Sequence, residues 1–233
     1  MHRQRYRARR IATLVVVIVL IVVAIVANTD MWQTEAPRQT HSGAPASGAA
    51  LDLLETLPIK GRAPKTGYER AQFGDGWASS SGCDMRNVIL HRDLKDVVVG
   101  DNCKVVTGVL DDPYTGKPVP FVRGADTSDD VQIDHVVALS NAWQTGAQQL
   151  SFERRKQLAN DPLELLAVDG AANQQKGDGD AATWLPSNKA FRCQYVARQV
   201  AVKAKYDLWV TQAEHDAIKR VLGSCPNQAL PTA

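Results

Sequence analysis

Asp134 and His135 are adjacent at the end of the β-rich stretch VQIDHVVAL, and Asn173 and Lys176 stand three residues apart in GAANQQKGD. A carboxylate beside an imidazole suits metal-assisted hydrolysis of a phosphodiester. That reaction needs a water nucleophile, a base to take its proton, and positive charge where the pentavalent phosphate develops. A divalent cation held by oxygen donors supplies the charge and steadies the leaving oxygen. Here the Asp-His pair is followed by the apolar strand LELLAV (163–168) and then by Asn173 entering a helix. A helix folding back over two strands would bring a second ligand to the first.

The elements that must position these residues begin near Leu51, where LDLLETL reads as a short amphipathic helix. MRNVILHRDL (85–94) reads as a helix. CKVVTGVL (103–110) and VPFVRG (119–124) read as strands of a β-hairpin around the turn signal DDPYTGKP. VQIDHVVAL (131–139) begins extended, and GAQQLSFERRKQLAND (146–161) looks helical up to Pro162. KAFRCQYVARQVAVKAKYDLW (189–209) reads as a long helix, and Thr211 with Glu214 forms a capping box that opens a second helix ending near Gly223. Helices joined by so short a turn pack antiparallel. Cys193 and Cys225 each lie 13 residues from that turn, about 20 Å at about 1.5 Å per residue. That spacing favours a Cys193–Cys225 disulfide and leaves Cys83 to pair with Cys103.

IDHVVAL…NDPLELLAVDGAANQQKGD resembles the ββα-metal core of the HNH endonuclease family. It is most similar to the exported branch related to the C-terminal nuclease domain of GmrSD-type restriction enzymes. The core covers about residues 131–180. GYERAQFG, GCDMRN, DPYTG, FVRG and GDGDAATWLP extend the similarity over roughly 65–225. The resemblance implies Asp134 and Asn173 as metal ligands, His135 as general base and Lys176 as a phosphate contact. The cofactor it implies is one divalent cation, Mg²⁺ with Mn²⁺ as the alternative. The family usually carries Asn at the position of Glu164, bracing the loop of the catalytic histidine. A carboxylate accepts the same hydrogen bonds but does not donate as an amide does.

Other residues have plainer readings. Asn173 alone would be a helix-start cap and Lys176 alone a solvated charge. Asp178 and Asp180 read as turn chemistry. Arg86 and Arg123 are further phosphate candidates, weighed against ordinary surface charge. His91 and His215 read as structural or exposed, and Trp184 and Trp209 as core.

Five arginines between Arg3 and Arg10 precede the uncharged apolar run Ile11–Ala27. This pattern reads as a signal anchor or signal peptide with the remainder exported, and the anchor reading makes the lipid bilayer a partner through residues 11–27. Residues 28–50 are rich in Ala, Ser, Gly and Pro and read as a flexible stalk. Residues 51–233 then form the catalytic domain. Four cysteines without a CxxC pair fit disulfides outside the cytoplasm better than a zinc site. Without the five leading arginines, 22 Lys+Arg stand against 25 Asp+Glu, a net of −3. That excludes a polycationic nucleic-acid binder, so affinity for a phosphate chain must come from local charge. The fold expected is α+β, a ββα-metal core with an added β-hairpin and a disulfide-tied helical pair. The function expected is exported hydrolysis of DNA or RNA. The alternative is a module of the same fold that binds nucleic acid or a cell-surface partner without cutting. No protein partner follows from the sequence.

Overall fold

The structure, a computed structural model, describes residues 49–231. Helix α1 (Ala49–Leu54) leads through a long loop and a 3-10 turn at Arg70–Phe73 to a small ribbon of β1 (Ser79–Ser80) and β2 (Cys83–Asp84). Asp84 then caps α2 (Met85–Asp93) by accepting from the Asn87 amide, as short polar side chains do at a helix start. Strands β3 (Leu94–Val99), β4 (Val105–Asp111) and β5 (Pro118–Val122) form one antiparallel sheet in that order. The β4–β5 hairpin matches the sequence reading. Strand β3 is an addition to it, because LKDVVV follows α2 with no turn residue between them and owes its strand character to pairing with β4.

Strand β6 (Val131–His135) pairs antiparallel with β7 (Leu165–Asp169), setting Asp134 opposite Leu166 and His135 opposite Leu165. Between them run α3 (Leu139–Gln144) and α4 (Phe152–Ala159). The single helix expected over 146–161 is broken because Ser151 caps α4 on the Arg154 amide. Strand β7 passes directly into α5 (Gly170–Lys176), and α6 (Arg192–Lys205) and α7 (Gln212–Gly223) close the chain. Thr211 and Glu214 form the capping box of α7. Disulfides join Cys193 to Cys225 and Cys83 to Cys103. The architecture is a mixture of helices and three small sheets.

The β6–β7 pair lies between two apolar cores. Successive side chains on a strand point to opposite faces. Val131, Ile133, Leu165 and Ala167 enter a small core with α2 and β3–β5, whereas Leu166 and Val168 enter a larger one built from α1, α3, α4, α6 and α7. Burial on both faces is why LELLAV reads as a continuous apolar run. The same alternation puts Gln132 and Asp134 together on one face of β6. Asn173 and Lys176, three apart on α5, share one face of that helix. The two pairs meet: Asn173 Nδ2 donates to Gln132 Oε1 and Lys176 Nζ to Asp134 Oδ1, both at 2.9 Å. Gly170 permits this approach, since a Cβ at that position would lie 2.0 Å from the Asp129 carbonyl oxygen.

The membrane-anchor reading is corrected. Among the described residues no helix is long and apolar enough to cross a membrane, and the run 11–27 lies outside them, as do residues 28–48 of the expected stalk. The transmembrane helix and the bilayer partner thus have no support among the described residues, while the two disulfides fit an exported chain.

A buried ion pair fastens α6 to α7. The fully buried Lys203 donates to Glu214 Oε2 at 3.0 Å, to the Trp209 carbonyl at 2.9 Å and to Asn141 Oδ1 at 3.3 Å. Breaking a buried pair from one side costs about 3–5 kcal/mol, because the other charge is left uncompensated. Lys203→Met is expected to lower unfolding free energy in urea by that amount, and adding Glu214→Gln to restore part of it. A Lys203→Met protein as stable as wild type would show that the pair contributes nothing net.

Candidate active site

The cleft opens where β6 ends. It encloses about 440 Å³, and Tyr68, Arg70, Trp77, Gln132, Asp134, His135 and Asn173 contribute to its walls. Asp134, His135 and Asn173, named from the sequence, thus line one cavity. Lys176 and Glu164 lie behind it, both buried.

Asp134 is only 5% exposed. Its Oδ1 accepts from Lys176, and its Oδ2 accepts from the buried Tyr114 hydroxyl. Burial pushes the Asp134 carboxyl above its ordinary range, while the Lys176 ammonium and the Tyr114 hydroxyl pull it back down. Lys176 Nζ donates also to the His135 carbonyl at 2.9 Å. This corrects the expectation that Lys176 meets a phosphate. One turn beyond Asn173 on α5 the side chain points inward, buried, and two of its three donors go to β6.

His135 Nε2 lies 3.0 Å from the Ala159 carbonyl oxygen. A carbonyl only accepts, so Nε2 carries the hydrogen and Nδ1 keeps its lone pair. The Trp77 ring stacks on the imidazole, with centroids 5.8 Å apart and planes 6° from parallel. Burial pushes the imidazole pKa down to about 3 against the pull of the Ala159 carbonyl, and the positive charges of Arg70 and Lys176 deepen the shift. The ring is therefore neutral at physiological pH, the form a proton acceptor must have.

Asn173 gives its amide nitrogen to Gln132, which leaves its Oδ1 as a donor atom for a cation. The cap of α5 is Asp169, on the Ala172 amide, so Asn173 does not serve as the helix-start cap. Among the described residues no group of three or more His, Cys, Asp or Glu is placed to hold a metal ion. The oxygens offered by Asp134 and Asn173 are hard donors, which fit Mg²⁺ in kind, an ion usually bound through one or two carboxylates and several waters. Lys176 on Asp134 opposes any such ion by like charge.

Glu164 supports the segment after His135. Its carbonyl accepts from the Val136 amide at 2.9 Å and its Oε2 from the Val137 amide at 3.1 Å. Gln199 of α6 holds the same segment by donating to the Val136 carbonyl at 2.9 Å. Burial raises the Glu164 pKa well above the carboxylate range and favours the neutral acid. A neutral acid has one accepting and one donating end, as an amide does, which narrows the difference from Asn that the sequence suggested, although Oε1 has no hydrogen-bond partner among the described residues.

The remaining candidates have structural duties. Arg86 donates to the Ser128 and Val131 carbonyls, and Arg123 to the Val105 carbonyl and Asn87. Asp180 accepts from Arg62 and from the Ala182 amide within its turn. Asp178 accepts from Lys65 and Ser140 at the cleft edge. His91 is exposed and His215 is buried beside Glu55. Trp184 packs edge-on against Tyr114 and Tyr195, and Trp209 donates to the Gly61 carbonyl from the core. Sequence reasoning did not single out Gln132, Tyr114, Trp77 and Arg70. Gln132 carried a signal, lying two residues before Asp134 on one strand. Tyr114 lies beneath the cleft and Arg70 on its wall. Both fall inside motifs of the family resemblance, DPYTG and GYERAQFG, but nothing in those motifs assigned them to the site, and Trp77 carried no signal.

The sequence model of the family described as "GmrSD restriction endonucleases, C-terminal domain" matches residues 84–221. An "Uncharacterized secreted protein" of Arthroderma benhamiae is 35% identical over 205 residues, covering 87% of this chain and 97% of that one. No solved structure matches.

The depressed His135 pKa has a consequence for stability. Between about 6.5, the ordinary value, and about 3 the unfolded chain binds a proton that the folded chain does not. Stability from this group is complete above the ordinary value and declines as pH falls, by up to about 1.4 kcal/mol per pH unit. Urea unfolding at pH 7 and at pH 5 is expected to show a smaller acid loss for His135→Gln than for wild type. Equal losses in the two proteins would contradict a buried neutral imidazole.

Proposed function

The chain belongs to the family of the GmrSD restriction endonuclease C-terminal domain, and from that premise we propose that it is an exported, metal-dependent endonuclease acting on DNA, with RNA as a second substrate. In this reading the β6–β7–α5 unit is a ββα-metal core. The observation that carries the proposal is the neutral His135, its Nε2 hydrogen committed to Ala159, in one cleft with Asp134 and Asn173. His135 Nδ1 would take the proton of the attacking water. Asp134 and the Asn173 amide oxygen would hold one Mg²⁺, or Mn²⁺ in its place. Such an ion, when bound, stabilises the charge that develops on the phosphate. Gln132 would orient Asn173 through the hydrogen bond to its amide nitrogen. Glu164 and Gln199 would hold the backbone after His135, fixing the imidazole against the substrate. The name of the secreted relative and the two disulfides support export.

A second reading, a module that binds nucleic acid without cutting, is favoured by one observation: the Lys176 ammonium already neutralises Asp134. A plasmid-cutting assay with Mg²⁺ and with chelator, alongside calorimetry for the metal, separates the two. In the first reading His135→Ala lowers cutting by about 10²–10⁴-fold, as loss of a general base does, with metal affinity little changed. Asp134→Ala and Asn173→Ala weaken metal binding instead. Wild type that binds DNA but leaves it intact with both Mg²⁺ and Mn²⁺ would establish the second reading.

Glu164 gives an independent check. Glu164→Asn keeps one accepting and one donating end and is expected to retain cutting and folding. Glu164→Ala removes the acceptor of the Val137 amide and is expected to destabilise by about 1–3 kcal/mol, the usual cost of orphaning a buried polar group. If Glu164→Asn abolishes cutting in a folded protein, the carboxyl has a chemical role beyond support.

A further inference from the structure

With Lys176 buried, the cleft needs another cation if a phosphate is to be held there. Arg86 is partly spent, since it donates to the Ser128 and Val131 carbonyls. Lys65 pairs with Asp178. Arg70 differs from both. It is exposed, and it makes no hydrogen bond or salt bridge to another side chain or carbonyl among the described residues. It lines the main cleft and also a contiguous smaller cavity of about 180 Å³, and both cavities include His135 and Trp77.

The backbone beneath Arg70 is fixed even though its side chain is free. The 3-10 turn Arg70–Phe73 is anchored by Phe73, only 2% exposed, which meets Trp143 and Tyr68 edge to face or tilted. Arg155 grips the same turn, donating to the Gln72 carbonyl at 2.8 Å and to Gln72 Oε1 at 3.0 Å. A guanidinium on a rigid turn, beside the imidazole and with all its donors unspent, is built to receive a phosphate oxygen in a forked hydrogen bond. Local charge of this kind also answers the acidic balance of the exported residues. Arg70 precedes residues 84–221, the part of the chain matched by the family model.

We propose that Arg70 binds a backbone phosphate of a nucleic-acid strand seated in the cleft, the contact Lys176 is too buried to make. The inference rests on the nuclease reading, and its test separates the two. Anisotropy of a labelled DNA duplex, measured in chelator over a range of salt, reads binding without cutting, and the plasmid assay reads cutting. Arg70→Ala is expected to weaken binding about tenfold to a hundredfold at low salt, the scale of a charged hydrogen bond. It is expected to reduce the slope of log affinity against log salt by about 0.9, one phosphate contact. Its melting temperature stays at the wild-type value, because the side chain holds nothing in the fold. Arg70→Lys, which keeps the charge and loses the fork, retains the slope and part of the affinity. Wild type that binds and cuts, together with an Arg70→Ala protein of unchanged affinity and slope, overturns the inference and leaves the nuclease reading standing. Wild type that neither binds nor cuts nucleic acid removes both.

Discussion

Lys176 gives up contact with water to reach Asp134 and the His135 carbonyl, and the geometry of the cleft follows from satisfying that one ammonium. A buried charge is tolerated only when paired and fully hydrogen-bonded, so α5 must lie across β6 at the height where both acceptors are in range. Its position in turn sets where Asn173, one turn earlier, meets Gln132. Tyr114 arrives from the β4–β5 turn to take the second oxygen of Asp134. Strand, helix and turn are thus held by one carboxylate with two partners, and Gly170 removes the side chain that would keep the helix away.

The scaffold around this pair is stiff for a reason visible in the strands. With apolar side chains entering two separate cores, a one-residue slip of the β6–β7 pair would exchange the two sets between cores of different size and shape. Polar residues are admitted on this pair where β6 faces α5, at its cleft end, and at Asp169, the last residue of β7, which caps α5. The site is therefore a local exception inside a strand pair fixed by burial on both faces, which is the arrangement that preorganises side chains for chemistry.

How much of this was legible in the sequence depended on the distance between the cooperating residues. The Asp134-His135 adjacency, the following strand and the Asn173-to-Lys176 spacing lie within one short stretch, and their meeting follows from strand and helix periodicities alone. The capping box at Thr211 and the antiparallel α6–α7 pair were legible for the same reason. The inward turn of Lys176 was not, because spacing fixes the face of a helix but not whether that face is covered. Strand β3 was hidden because its partner, rather than its own boundary residues, makes it a strand. Tyr114, Trp77 and Arg70 come from turns and loops whose path is set by packing. Although Tyr114 and Arg70 fall inside motifs of the family resemblance, no local spacing ties them to the Asp134-His135 pair. The apolar run at 11–27 read as an anchor on its own composition; it lies outside the described residues, among which no helix is long and apolar enough to cross a membrane.

The two residues after His135 hang between two side chains that never reach the cleft. Glu164 takes the Val137 amide and Gln199 gives to the Val136 carbonyl, and each keeps one buried oxygen without a partner. Residues that brace one backbone segment commonly depart from additivity. Positions 164 and 199 hold adjacent residues, Val137 and Val136, so a change at one is felt on the backbone the other holds. A helix that never reaches the cleft thereby helps fix the backbone at its mouth through one carbonyl.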